Sequence, residues 1–155
     1  MTVYDTKKHL FSQYCAELAQ IQPGLPANAN IIEENCDSYI SSADCSWRNV
    51  YYEGELVGFL IIGKAGIEKH PDSDYAIAEA YILPGHRGMG LMTTAVQEYV
   101  ETHAGTYSVL VLKDNVYAKH FWAKLFRNLG YHATPLNRDC LIDRDFVDLF
   151  GFAPD

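Results

Sequence analysis

Apolar residues recur early in the chain at Leu10, Phe11, Tyr14, Leu18 and Ile21. Steps of three and four predict an amphipathic helix over Thr6–Ile21, ended by Pro23, Gly24 and Pro26. A second helix is expected from about Asn28 to Ser41. Trp47–Tyr52 and Leu56–Ile62 read as strands of a hairpin, turning at Glu53-Gly54. Gly66–Ser73 is a polar loop, and Tyr75–Leu83 is apolar on nearly both faces, the mark of a central strand. Helical spacing returns over Leu91–His103, with Gly105 as its stop. Tyr107–Leu112 is an uninterrupted strand. Asp114 or Asn115 then caps a helix that runs to about Leu129 and stops at Gly130. Tyr131–Leu136 and Asp139–Asp143 are expected as a last pair of strands, and the pattern assigns no element to the ending FVDLFGFAPD.

Strand, helix and strand from Tyr75 to Leu112 imply a parallel crossover of the usual right hand. The class is therefore α/β, and 155 residues suit one domain over 1–155. Apolar residues make up 48% and charged residues 21%, ordinary globular usage. A net charge of −8 argues against a nucleic-acid partner, which normally meets a basic face. Cys15, Cys36, Cys45 and Cys140 form no C-x-x-C pair and have no zinc-type spacing, so no metal is expected and the thiols suit a reducing, cytoplasmic setting. The amino-terminal stretch lacks the apolar segment of a signal peptide, and Leu56–Ile62 is far too short for a membrane span. Homodimerisation stays open.

Candidate chemistry concentrates in LPGHRGMGLMT, Leu83–Thr93. Here a central strand stops at Pro84 and a helix opens soon after, with Gly85, Gly88, Gly90 and Arg87 between. The first N–H groups of a helix lack internal partners and face the positive end of its dipole, which suits an anion. Glycines let a phosphate approach those groups, and a guanidinium adds planar, permanently charged donors. A tight strand-to-helix turn with a surface arginine explains the same residues. The spacing is neither a dinucleotide fingerprint, since Thr93 follows where a glycine is needed, nor a P-loop.

The stretch YILPGHRGMGLM resembles the GNAT superfamily of acyl-CoA-dependent N-acyltransferases, through Ile82, Pro84, Arg87 and Gly90, with Met92 where the family has Gly or Ala. The resemblance implies a central mixed twisted sheet flanked by helices, with two splayed parallel strands, Tyr75–Leu83 and Tyr107–Leu112, at the cofactor site. It implies acetyl-CoA as co-substrate, its pantetheine arm along Ile82 and Leu83 and its pyrophosphate at Arg87, Gly88, Met89, Gly90, Leu91 and Met92. A second family segment fits in two registers. Asn115, Ala118, Phe121 and Trp122 match its beginning, although Gly130 then comes four residues late. Leu125, Phe126, Gly130 and Tyr131 match its end, with Lys119 in place of Asn. The first register is preferred for cofactor contact, because Asn115 lies at the mouth of the helix.

In neither register does a tyrosine occupy the position where the family commonly has the acid that protonates the departing thiolate. The residue is Trp122 or Phe126. An indole donates a hydrogen bond but is no proton source near neutral pH. Trp122 thus reads as a group that positions the thioester, or as a core aromatic. Tyr81, Tyr117 and Tyr131 are substitutes among which nothing in the sequence selects. For the base, Glu79 stands out, because it interrupts the apolar run YAIAEAYIL. Strand alternation puts it on the face of Ile77, Tyr81 and Leu83. An apolar setting is expected to raise its pKa toward a value useful for taking a proton from an alkylammonium. A Glu paired with a neighbouring element is the alternative.

His86 and His120 carry less weight, and His70 and His103 read as surface residues. Glu33, Glu34, Asp37 and Asp139 are candidates to hold a cationic acceptor, and Tyr39, Trp47 and Tyr51 to line an apolar one. The leading expectation is an N-acetyltransferase acting on a primary amine of a small molecule or peptide, by direct attack on the thioester. A catalytically weak acyl-CoA-binding module and a phosphate or nucleotide binder unrelated to CoA are the alternatives.

Overall fold

Thr2 starts the first helix, α1 (Val3–Ile21), with a capping box. Its hydroxyl accepts from the Asp5 N–H, and the Asp5 carboxylate accepts from the Thr2 N–H. This is why the helix begins ahead of the stretch that apolar spacing predicts. The computed structural model describes residues 1–24, 35–64, 72–137 and 147–154. After α1 come a short α2 (Cys36–Ser41), the hairpin β1 (Cys45–Tyr52) and β2 (Glu55–Gly63), then β3 (Tyr75–Ile82). Next are a single 3-10 turn (Pro84–His86), α3 (Leu91–Thr102), β4 (Tyr107–Leu112), α4 (Val116–Leu129), β5 (His132–Pro135) and β6 (Val147–Ala153). The early part of the expected second helix, most of the Gly66–Ser73 loop and the whole of Asp139–Asp143 lie outside the described residues, as do Glu33, Glu34, His70, Asp139 and Cys140.

Six strands form one mixed sheet in the order β1-β2-β3-β4-β6-β5. Among the described residues only β3 and β4 run parallel, as the crossover through α3 requires. Among the described residues the partner of β5 is the ending of the chain, to which the pattern assigns no element and which inserts between β4 and β5 as β6. Phe150 and Phe152 mark that strand. Phe152 is buried among Tyr107, Phe126 and Tyr131, a pairing that local periodicity cannot foresee.

Each face of the sheet has its own core. On one, Met92, Val96, Tyr99 and Val100 of α3 and Trp122, Leu125 and Phe126 of α4 pack on Leu60, Ile62, Ile77 and Val109. On the other, Leu10 and Phe11 of α1 and Cys36 and Tyr39 of α2 pack on Phe59, Ile61, Ala78 and Tyr81. Tyr39 and Trp47 are therefore core aromatics around Phe11 and Phe59, whereas Tyr51 is exposed.

Gly58 permits the close approach of β2 to the end of β3. A Cβ there would lie 2.3 Å from the Tyr81 carbonyl oxygen and 2.6 Å from Ile82 Cδ1. Gly58→Ala is expected to cost about 1–3 kcal/mol, the scale of overpacking, read as a lower midpoint in thermal or urea unfolding.

Candidate active site

Strands β3 and β4 pair through three residue pairs only, Tyr75 with Tyr107, Ala76 with Ser108 and Ile77 with Val109. Their closed end is fastened by Asp74. Its N–H donates to the Thr106 carbonyl at 3.0 Å, and its carboxylate accepts from the Thr106 N–H at 2.9 Å. Beyond Ile77 each strand follows its outer neighbour. The hairpin strand β2 holds β3 as far as Ile82 opposite Gly58, and β6 holds β4 as far as Leu112. The strands part, and the inner edge of β3 from Ala78 onward has no β4 ladder to satisfy it. Such an edge suits an extended ligand with amides of its own.

A small cavity of about 60 Å³ occupies the gap, with Tyr14, Glu79, Val111, Asn115 and Trp122 among its walls. It adjoins a cleft of about 730 Å³ that runs past the 3-10 turn and along α3 and α4, a volume suited to a large ligand.

Glu79 sits in this gap, 2% exposed. Alternation fails to predict its neighbours, because the β2–β3 register shifts. Ile61 pairs with Glu79, but Ile62 pairs with Ile77, leaving Ala78 as an extra residue. The bulge sends Ile77 to the α3/α4 core, while Ala78 and Tyr81 belong to the α1 core. Glu79 turns toward α1, where the Tyr14 hydroxyl donates to its Oε2 at 2.9 Å. An inward carboxylate among apolar residues is costly unless hydrogen-bonded, and Tyr14 supplies such a bond.

The glycine loop has the form that an anion cradle requires. Gly90 is the N-cap of α3 in the left-handed region, φ 78°, and Gly88 lies at φ 81°. A Cβ on either would meet no atom within 4 Å. Side chains at these positions would thus project into open space at the helix N-terminus. Gly88, Gly90, Leu91 and Met92 line the cleft, as does Ile82, whereas Leu83 packs between the two cores and the Met89 side chain is half exposed. Met92 is 6% exposed within the α3 core, so its bulk at the family's small position is absorbed by packing.

Arg87 lines the cleft and also reaches α1. Its Nε donates to the Ile82 carbonyl at 2.9 Å, and its Nη2 lies 2.9 Å from Glu17 of α1. The guanidinium stacks near Tyr81 and Tyr117, 5.5 Å from each ring centroid. Glu17 carries no site signal in the sequence, being one acidic position on an amphipathic helix. Tyr14 shows there only as part of the apolar face of that helix.

On α4, Asn115 is the N-cap, its side chain accepting from the Ala118 N–H at 3.1 Å, and Asn115, Ala118, Phe121 and Trp122 all face the cleft. The helix runs unbroken to Gly130, so the late glycine is one extra turn, and Phe126 lies in the core away from the cleft. Trp122 is 6% exposed, packed on Phe121 and Phe126 and walling the gap. Among the substitute tyrosines, Tyr131 stacks on Phe152 outside the cleft, and Tyr117 is 57% exposed at its mouth. Burial, with the Glu17 carboxylate beside it, pushes the Tyr81 phenol up from its ordinary value. His86 and His120 line the cleft. His103 is no plain surface group, since its ring lies flat on Tyr99 at 3.9 Å. Asp37 is held by Tyr4 and Lys8 at the surface.

A parallel strand pair opened beside a glycine-capped helix defines the acyl-CoA-dependent transferase class that the sequence resembles. The family model described as Acetyltransferase (GNAT) family matches residues 12–126. The chain belongs to this family, which uses acetyl-CoA as co-substrate. Similar solved structures include an acetyltransferase from Thermus thermophilus, at 16% identity and TM-score 0.63, covering 93% of this chain and 86% of that one. An N-acetyltransferase from Staphylococcus aureus has 12% identity and TM-score 0.60, covering 97% and 96%. A Bacillus anthracis protein described as a candidate streptothricin acetyltransferase, in complex with acetyl coenzyme A, has 16% identity and TM-score 0.51, covering 77% and 67%. No curated protein matches the sequence. Among the described residues no helix is long and apolar enough to cross a membrane, and no cluster of side chains is set to hold a metal ion.

The loop geometry separates two glycines. Gly90→Val is expected to strain the backbone by about 1 kcal/mol or more and to weaken CoA binding at least about tenfold by filling the cradle. Gly85→Ala, with no neighbour within 4 Å and no positive φ, is expected to leave both unchanged. Calorimetric titration with CoA and thermal melts check the pair.

Proposed function

We propose that residues 1–155 act as one N-acetyltransferase domain. It moves the acetyl group of acetyl-CoA to a primary amine of a small molecule or peptide, by direct attack on the thioester. The observation that carries this reading is a carboxylate, Glu79, buried to 2% exposure in the wall of the gap between the parted strands. Gly88, Gly90 and the first N–H groups of α3 would hold the pyrophosphate, and the open edge of β3 the pantetheine amides. With the donor so placed, its thioester lies at the Glu79 end of the gap. Glu79 takes a proton from the ammonium, directly or through a water, and the free amine attacks the acyl carbon. Trp122 packs against the thioester and fixes its orientation.

Glu79→Gln keeps size and hydrogen bonding but accepts no proton. It is expected to leave CoA affinity nearly unchanged and to slow turnover roughly 10²-fold or more. The acidic limb of the pH–rate profile that reports Glu79 should vanish, so that rate climbs with pH as the amine deprotonates by itself. Free thiol release from acetyl-CoA over a panel of a polyamine, an aminoglycoside and a peptide amine measures both. A Gln variant at wild-type rate with an unaltered profile makes Glu79 a structural carboxylate. Absence of turnover with every amine, while CoA binds, favours a non-catalytic acyl-CoA module, a reading for which the missing α4 tyrosine speaks.

Trp122→Phe is expected to keep much of the turnover, because shape is mostly retained. Trp122→Ala is expected to lose about 3–5 kcal/mol of stability, the usual cost of truncating a buried aromatic. Steady-state rates and chemical unfolding distinguish the two effects.

A further inference from the structure

We propose that Tyr14, on α1, is the acid that protonates the departing CoA thiolate, and that Glu79 recharges it. The inference rests on the acetyl-transfer reading and answers what that reading leaves open. The position on α4 where a proton donor is expected holds Trp122, whose indole is not an acid near neutral pH.

Four observations point to Tyr14. Among the described residues it is the one phenol that walls the gap between β3 and β4, and Tyr14 and Glu79 are its ionisable side chains there. Its hydroxyl is already hydrogen-bonded to Glu79 Oε2, at 2.9 Å. Its ring is fixed by edge contact with Phe59 at 5.5 Å and by contacts with Phe11 and Tyr81. The helix that carries it is tied across the open end of the cleft at two further points. Glu17 meets Arg87, and the Gln22 side chain accepts from the Asp114 N–H at 3.2 Å. Tyr14 is thus a group on a strapped helix, aimed at the place where the C–S bond breaks. Of the other candidate phenols, Tyr131 stacks on Phe152 outside the cleft, and Tyr81 and Tyr117 line the larger cleft but not the gap.

The steps balance. Glu79 first passes one proton of the ammonium on to solvent and is again a carboxylate. As the free amine attacks, an N–C bond forms and the second proton of the nitrogen passes to the Glu79 carboxylate. The C–S bond breaks with its electron pair on sulfur. The Tyr14 O–H delivers its proton to that sulfur, and the protonated Glu79 returns one to the phenolate oxygen. Of the two protons that leave the ammonium, one reaches solvent and one reaches CoA sulfur, with Tyr14 and Glu79 restored.

The groups facing Tyr14 that bear on its titration are Glu79 and Tyr81 from β3, and Glu17 on its own helix, neutralised by Arg87 from the loop. Phe59 of β2 and Asn115 of the α4 cap add no charge.

The test uses the full chain with acetyl-CoA and the panel amine that gives the fastest thiol release. Tyr14→Phe is expected to keep CoA affinity and KM for acetyl-CoA while lowering kcat by roughly 10²-fold. It should also abolish the alkaline limb of the pH–rate profile, whereas Glu79→Gln abolishes the acidic limb. An independent readout needs no acceptor. The thiolate of bound CoA, followed by its ultraviolet absorbance, should form at higher pH in Tyr14→Phe than in the wild type, because the hydrogen bond that stabilises it is lost. Should the Phe variant fold poorly, 3-fluorotyrosine at position 14, a more acidic phenol, should move the alkaline limb to lower pH. A Phe variant with wild-type kcat, alkaline limb and thiol titration overturns the relay. If Glu79→Gln is slow in that case, the acetyl-transfer reading survives without it. An unmoved limb in the fluorotyrosine protein overturns the relay too.

Discussion

The architecture depends on two parallel strands that pair for three residues and then separate. Separation exposes backbone groups and opens apolar surface, so something must hold the strands apart. Two outer partners do so. The close passage of β2 at Gly58 keeps β3 to its course, and β6 keeps β4 to another along its whole length. The Asp74–Thr106 fastening and the stacked Tyr75 and Tyr107 rings, 5.0 Å apart, prevent the split from running through to the closed end. The gap is consequently a permanent feature of a well-packed sheet.

Helix α1 crosses the open end of that gap and touches each of its borders. Tyr14 reaches β3, Glu17 reaches the glycine loop through Arg87, and Gln22 reaches the turn between β4 and α4. These contacts are polar, which suits a boundary that must face both core and ligand. The bulge at Ala78 serves the same end. A regular strand would place Glu79 against α1 only by sending Ala78 into the opposite core. One extra residue lets both side chains face α1 while Ile77 and Ala80 pack on the far side.

Arg87 shows how a motif residue takes on a second task. The guanidinium spans from the Ile82 carbonyl to Glu17, coupling the loop to α1. Its planar shape allows this together with contact to two tyrosine rings, which a lysine would not reproduce. At Gly88 and Gly90 of the same loop, positive φ and open space coincide.

Features with a local physical cause were determined by the sequence alone. Helical spacing located α1, α3 and α4, which each bury one face, and apolar runs located the β1–β2 hairpin, β3 and β4, because β2, β3 and β4 are buried on both faces. Pro84, Gly88 and Gly90 marked the passage from β3 to α3, because proline's missing N–H and glycine's tolerance of positive φ are intrinsic, and Asn115 and Gly130 bounded α4 as caps. Glu79 was conspicuous as a charge in an apolar run. Tertiary structure decided the rest. The place of β6 between β4 and β5 depends on Phe152 finding Tyr107 and Phe126 across the chain. The face of Glu79 depends on a bulge that only pairing with β2 creates. The Tyr14–Glu79 and Glu17–Arg87 contacts join residues 65 and 70 positions apart, beyond the reach of any periodicity. Local preference tells which face of an element is buried, but the partner it meets there is chosen by the packing of the whole sheet.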